Sequence, residues 1–329
     1  MFRKILLLSA VVCLTGVPSP AQGSRHFTFH YAFTVKNIPP GEKVRVWFPA
    51  AHSDQFQEVK VVSATGDLSL KKTREAKFRN EIYYAETSKA RKPELHFEVV
   101  YDVVRHERLI LGRQIPRLEA ASLDEKKRDE FLAPDKLVPV SGLPAELAAK
   151  ATEGEATPLA KARAIYDYVF ANMRYDKSGT GWGHGDVLYA CSAKHGNCTD
   201  FHSLFISMAR SQRIPARFEI GFPLPIGRAA GDIAGYHCWA DFFDPGHGWV
   251  PVDISEAWQN PVKKNYFFGA LDENRVQFSM GRDLVLNPRQ AGPPLNYFVY
   301  PYVEVAGQAY PNVSQAFSFA DEAAPAAAP

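Results

Sequence analysis

From about residue 26 to 110, hydrophobic and polar positions alternate with a period of two. The runs "HFTFHYAFTV", "EKVRVWFP", "EVKVVSA", "NEIYYAET" and "ELHFEVVYDVV" place β-branched and aromatic residues on one side of each segment. "IPPGE" and "ATGD" separate them as turns. This predicts an antiparallel, sandwich-like β-domain with polar outer faces. The charged stretch "SLDEKKRDEFLAPD" then breaks the alternation and marks a linker.

Beyond the linker the period changes. In "TPLAKARAIYDYVFANMRYD", Ala162, Ile165, Tyr166, Val169, Phe170 and Met173 recur at helical spacing. Thr157 stands at the N-cap position and Pro158 at the first helical position. A Gly-rich loop, "DKSGTGWGHGD", leads to a second helix, "CTDFHSLFISMARSQ", with Phe201, Leu204, Phe205 and Met208 on one face. "RIPARFEIGFPL", "GYHCWADFF" and "GWVPVDI" follow as strands, and "YFVYPYVEV" reads as a further buried or edge strand. "DEAAPAAAP" lacks the apolar content to pack, which predicts a disordered tail. No internal repeat is visible. The expected divisions are residues 1–23, an export signal; 24–115, the β-domain; 116–154, linker and helices; 155–318, a catalytic core of helices and strands with C-terminal strands; and 319–329, the tail.

Composition narrows the function classes. The 329 residues are 46% hydrophobic and 22% charged, ordinary for a globular protein. A formal net charge of +2, with no long basic run, carries no electrostatic footprint for nucleic acid. The start "MFRKILLLSAVVCLTG", followed by the small residues of "VPSPAQGS", reads as a signal peptide cleaved after Ala21 or Gly23. The expected location is therefore periplasmic or secreted. The apolar run is too short to span a bilayer, and no other segment approaches about 20 apolar residues. Removal of the signal, and of Cys13 with it, leaves Cys191, Cys198 and Cys238, an odd number with at least one unpaired thiol.

Cys198 has the most suggestive setting. Gly196 and Asn197 form a turn immediately before a helix that starts near it. The positive end of a helix dipole favours a thiolate there, and free backbone N–H groups can receive a developing oxyanion. A base is available from the hairpin "GYHCWADFFDPGHGWVPVDIS". With the turn centred on Pro245, positions summing to 490 oppose each other, so His237 faces Asp253 and Trp239 faces Pro251. A carboxylate there can hold one imidazole nitrogen and leave the other for Cys198.

The three blocks "GNCTDFHSLFISMARSQRIPAR", "GYHCWADFF" and "GWVPVDIS", in that order, resemble the transglutaminase-like superfamily of cysteine enzymes over roughly residues 155 to 260. The resemblance implies a papain-like α+β core, with the cysteine helix on an antiparallel sheet, preceded by an appended β-domain. It implies Cys198 as nucleophile, His237 as general base and acid, and Asp253 as the residue orienting the imidazole. The Cys198 backbone N–H would serve the oxyanion. Trp182 is a candidate for the indole that assists it in animal transglutaminases, and Trp239 is a candidate wall of the cleft. Nothing supports carrying over the calcium sites of those enzymes; no metal and no cofactor is expected.

Other readings compete. Cys198 could be a buried hydrophobe. Cys191, His195, Cys198 and His202 are spaced as four zinc ligands. An oxidising compartment permits a Cys191–Cys238 disulfide, or a Cys191–Cys198 bridge that would block catalysis reversibly. Arg210 and Arg217 read as solvated or salt-bridged. The expected function is cysteine-dependent acyl transfer on amide bonds of a protein or peptide substrate, with water as acceptor in a hydrolase or an amine in a transglutaminase. The alternative is a non-catalytic binding or assembly module on the same scaffold.

Overall fold

The computed structural model of the protein describes residues 23–111 and 122–322. The export signal and most of the expected tail lie outside the described residues. Seven strands come first: β1 Ser24–Val35, β2 Val44–Pro49, β3 Gln57–Gly66, β4 Lys71–Arg74, β5 Glu81–Thr87, β6 Leu95–His106 and β7 Arg108–Leu109. The helical part follows: α1 Glu125–Leu132, α2 Leu143–Ala151, α3 Pro158–Asn172, β8 Arg174–Tyr175, α4 Val187–Ala193, β9 His195–Gly196 and α5 Cys198–Ser211. Next are β10 Ala216–Pro223, β11 Ala230–Asp232, β12 His237–Asp244, β13 Gly248–Val252, α6 Ile254–Gln259, β14 Ala270–Leu271 and β15 Arg275–Met280. The described residues end with β16 Tyr302–Val305, β17 Gln308–Ala309 and β18 Val313–Asp321.

The alternating N-terminal runs form two five-stranded sheets, ordered β11-β18-β1-β6-β3 and β17-β16-β2-β5-β4. Phe27, Phe29, Tyr31, Phe33 and Val35 of β1 are all buried, as the period of two requires. The rings of Phe33 and Phe48 meet at 5.0 Å between the sheets. The C-terminal strands, expected with the helical core, belong here instead. β16 pairs with β2, and β18 pairs with β1 along nine positions. Residues 319–321, expected in the tail, end β18 in the same ladder. Ladder partners almost 300 residues apart leave no trace in a local pattern.

The second part is α+β. A four-stranded antiparallel sheet, ordered β13-β12-β10-β15, carries α5. Thr157 caps α3 through its hydroxyl, with Pro158 in the first turn, as the sequence indicates. The spacing predicts an amphipathic α5, but every residue from Cys198 to Arg210 is buried. The helix lies between the sheet and the helices α2, α3 and α4, so no side is left for solvent. Arg210 follows it inside, donating to Asp135 at 2.6 Å and to the Ala133 carbonyl at 2.7 Å.

The two parts share one hydrophobic core. Phe222 of β10 packs on Phe29 and Phe317 at 5.3 and 4.5 Å, and Phe278 of β15 packs on Tyr31 at 5.5 Å. Burying each such ring contributes about 1.5–3 kcal/mol. Two polar ties add direction. Arg108 makes a two-pronged bond to Asp241 at 3.0 and 2.9 Å, and Gln57 exchanges two bonds with the backbone of Gln277. The β-domain thereby fixes β12 and β15, the strands that present the site.

Candidate functional site

The site begins at the turn before α5. Asn197 is the N-cap: its Oδ1 accepts from the Thr199 N–H at 2.9 Å. Asp200 completes a capping box by accepting from the Asn197 N–H at 2.9 Å. The same carboxylate accepts from the Gly183 and Gly185 N–H groups, at 2.7 and 3.0 Å, and so fastens the Gly-rich loop to the helix. Position 196 must be glycine, since a Cβ there would sit 2.2 Å from the Asp200 Oδ2. Asp200 in the first helical turn fits a cap by residue type; its second role, holding a loop, has no local sequence signal.

Cys198 is the first residue of α5 and is 2% exposed. His237 opens β12 and is 6% exposed, and Asp253 follows β13 as the N-cap of α6. His237 Nε2 meets Asp253 Oδ2 at 2.7 Å, and the ring lies near enough to the Cys198 thiol for each to shift the other's pKa. Nδ1 is the nitrogen left for the thiol. The structure thus brings the three residues together, by a different register from the one the sequence suggested. β12 and β13 pair in positions summing to 492, with Asp241 opposite Pro251. The turn is centred on Gly246 because Asp244 accepts from the Gly246 N–H and the His247 ring, making a three-residue loop. A change of two in the sum preserves the faces, so His237 and Asp253 still meet.

The Asp253 carboxylate is fully buried, and every lone-pair direction is engaged. Oδ2 also accepts from Arg275 at 2.8 Å, and Oδ1 accepts from the Ser255 hydroxyl and the Glu256 N–H at 3.2 and 3.1 Å. Burial alone would raise its pKa. The charge and hydrogen bond of His237, then the Arg275 guanidinium, hold it well below the usual carboxylate range. Burial likewise opposes charge on His237, but the Asp253 carboxylate and the Cys198 thiolate raise its pKa well above the ordinary value. For Cys198, burial pushes up. Hydrogen bonds from Cys238 and His237, with the imidazolium charge, outweigh it and bring the thiol well below the ordinary range. The arrangement favours a thiolate–imidazolium pair. Arg275 had no sequence signal: it lies on β15, joined to β10 across a bulge at Ile220/Gly221.

His202, one turn along α5, is fully buried beneath this pair. Its Nε2 accepts from the Ile254 N–H at 3.0 Å, so the proton sits on Nδ1, which faces Cys238 Sγ at 3.8 Å. Burial lowers its pKa from 6.5 to about 4, so the folded ring stays neutral where the unfolded one gains a proton. Stability from this residue is present above pH 6.5 and is lost as pH falls towards 4, a difference of about 3 kcal/mol. His202→Gln should flatten the loss of urea resistance between pH 6.5 and 4.5; an unchanged slope would contradict this placement.

The remaining expectations fare unevenly. Trp239, expected in the cleft wall, is fully buried under the sheet, its Nε1 donating to Glu219 at 2.7 Å and its ring lying under the Arg275 guanidinium. Trp182 does line the cavity over Cys198, but its Nε1 donates to the Gly179 carbonyl of its own loop at 3.2 Å. The four spaced zinc ligands do not converge. His195 turns to the Tyr189 hydroxyl and the Asp176 carbonyl, and no group of three metal-ligating side chains occurs among the described residues. All three cysteines are free thiols. Arg217 bonds Asp241 and Glu219 and lies over the Trp249 ring.

Two cavities flank Tyr236. One, of about 360 Å³, includes Cys198, Trp182 and Tyr297; the other, of about 600 Å³, includes His237, Glu256 and Arg275. Among the described residues, no helix is long and apolar enough to cross a membrane.

Residues 145–254, which contain all three side chains, match the sequence model of the transglutaminase-like superfamily. The chain carries a transglutaminase-like core. Members of this superfamily are commonly cysteine hydrolases or acyltransferases. An uncharacterized protein of Haemophilus influenzae is 29% identical over 319 residues, 85% of each chain. The uncharacterized protein YebA of Bacillus subtilis is 27% identical over 131 residues, 36% of this chain and 18% of YebA. The crystal structure of a candidate cysteine protease from Cytophaga hutchinsonii shares the fold over 92% of both chains, with a TM-score of 0.60 and 17% identity. The transglutaminase-like core and the β-domain before it are thus both part of that shared fold.

Proposed function

We propose that the protein is an exported cysteine enzyme that transfers acyl groups from amide bonds through Cys198, His237 and Asp253. The observation that carries this reading is the buried His237 ring, bonded to Asp253 at 2.7 Å and close to the Cys198 thiol at the start of α5. Cys198 and His237 each line one of the two cavities beside Tyr236, which supports it. In the reaction, the Cys198 thiolate attacks the amide carbonyl and forms a tetrahedral oxyanion. The C–N bond then breaks, His237 gives its proton to the leaving amine, and a thioester remains on Cys198. Water or an amine attacks next, losing a proton to His237, and the thiolate leaves. Asp253 keeps the imidazole in one tautomer and orientation. Water, the more abundant acceptor, favours hydrolysis of a protein or peptide substrate. Export rests on the basic and apolar N-terminal run alone.

The test is a trapped intermediate. Protein mixed with p-nitrophenyl acetate and quenched early should carry one acetyl group on the Cys198 peptide, absent from Cys198→Ala. Decay in the presence of a primary amine then reports the acceptor: an amide product marks a transferase, and acetate alone a hydrolase. Acetylation that ignores Cys198→Ala would defeat the proposal and favour a binding module on this scaffold.

A further inference from the structure

Attack on a carbonyl creates an oxyanion, and a cysteine enzyme gains most from two donors aimed at it. The Cys198 N–H supplies one: it stands at the first position of a 14-residue helix and has no acceptor among the described residues. The indole of Trp182 is committed to Gly179. The second donor must come from elsewhere in the cavity wall.

The Tyr236 hydroxyl lies over the same helix terminus. It contacts Asn197 Nδ2 at 3.0 Å and Thr199 Oγ1 at 2.8 Å, the residues on either side of Cys198. The direction of the Asn197 bond follows from its neighbour. Asn197 Oδ1 already accepts from the Thr199 N–H, so the amide nitrogen faces Tyr236 and donates. The Tyr236–Thr199 bond can run in either direction, since each hydroxyl holds one hydrogen and Thr199 Oγ1 also meets the Cys238 Sγ at 3.7 Å. With Thr199 donating, the phenol oxygen accepts twice and its O–H hydrogen points into the cavity. A neutral hydroxyl such as that of Thr199 is a weaker acceptor than an oxyanion, so a developing oxyanion draws the Tyr236 hydrogen to itself. The ring itself is fixed: the Tyr236 N–H donates to the Tyr300 hydroxyl at 3.2 Å, and the Tyr297 and Tyr300 rings pack at 5.4 and 5.8 Å. Burial raises the phenol pKa, so it keeps its proton at neutral pH.

We propose that Tyr236 is a catalytic residue whose hydroxyl donates, beside the Cys198 N–H, to the oxyanion formed on the acyl carbonyl; this rests on Cys198 being the nucleophile. It also gives Thr199 a purpose, as the resting hydrogen-bond partner of the Tyr236 hydroxyl.

Two probes of the same thiol separate this role from others. Iodoacetamide is displaced at a saturated carbon and forms no oxyanion; p-nitrophenyl acetate acylates through one. Tyr236→Phe should lower the rate of Cys198 acetylation about 100-fold. It should leave the rate of alkylation within about twofold of wild type, which also shows that the variant is folded and its thiolate intact. Equal losses in both reactions would place Tyr236 in support of the thiolate or the fold and overturn the assignment. No loss in either would remove it from the reaction altogether. A wild-type Cys198 that takes neither probe would sink the nucleophile reading, and this assignment with it.

Discussion

Asp253→Asn should slow acetylation of Cys198 by about 10³–10⁴-fold at neutral pH. The carboxylate accepts from the His237 Nε2–H and so stabilises the imidazolium whose Nδ1 faces the thiolate. An amide can present its NH₂ to the ring instead, which selects the wrong tautomer, and it no longer compensates an imidazolium charge. The loss should extend to folding. Arg275, buried and bonded to Asp253 at 2.8 Å, would retain Asp272 alone. Removing one partner of a buried pair costs about 3 kcal/mol or more. Urea denaturation of the variant measures that part independently of activity. An Asp253→Asn variant with wild-type acetylation would show that Asp253 anchors α6 and Arg275 only.

His237→Ala should have its largest effect on the thiol itself. Burial pushes the Cys198 pKa up, and the hydrogen bonds and charge around it push it well below the ordinary value; His237 is a principal source. Without the imidazole the thiol returns to an ordinary or raised pKa, about 8.5 or more. At pH 6 an ordinary thiol is ionised to roughly one part in 300. Alkylation by iodoacetamide at that pH should therefore fall by about 10²–10³-fold, with the gap closing as pH rises through 8 to 9. A variant that alkylates like the wild type at pH 6 would mean that the helix terminus and Cys238, not His237, set the thiolate.

Much of the fold and the candidate site was legible because their signals are local. The period of two along β1 and β6, the Thr-Pro start of α3, and the three ordered blocks around Cys198, His237 and Asp253 each reside within about twenty residues. The hairpin register was misplaced by one turn position, because Asp244 adds its own side-chain bonds to the loop. The faces survived the error, since a strand repeats every two residues. What escaped was long-range. Trp239, expected in the cleft wall, is covered by Glu219 of β10 and Arg275 of β15, the two strands beyond β12 in the sheet. β16 and β18 return to β2 and β1 across almost the whole chain. Arg275, Tyr236 and His202 gain their contacts only when α5, β12 and β15 converge. No spacing in the chain states that convergence.

The central claim is that Cys198 rests as a thiolate paired with the His237 imidazolium. Its most direct test is the rate of Cys198 alkylation by iodoacetamide in the reduced wild-type protein from pH 5 to 9, followed peptide by peptide by mass spectrometry. Cys191, whose thiol burial pushes up to about 11, serves as the internal reference. The structure predicts that Cys198 reacts rapidly already at pH 5 to 6, with little further gain up to neutral pH, while Cys191 stays slow. A Cys198 rate that climbs about tenfold per pH unit towards about 8.5, as for an ordinary thiol, would contradict it.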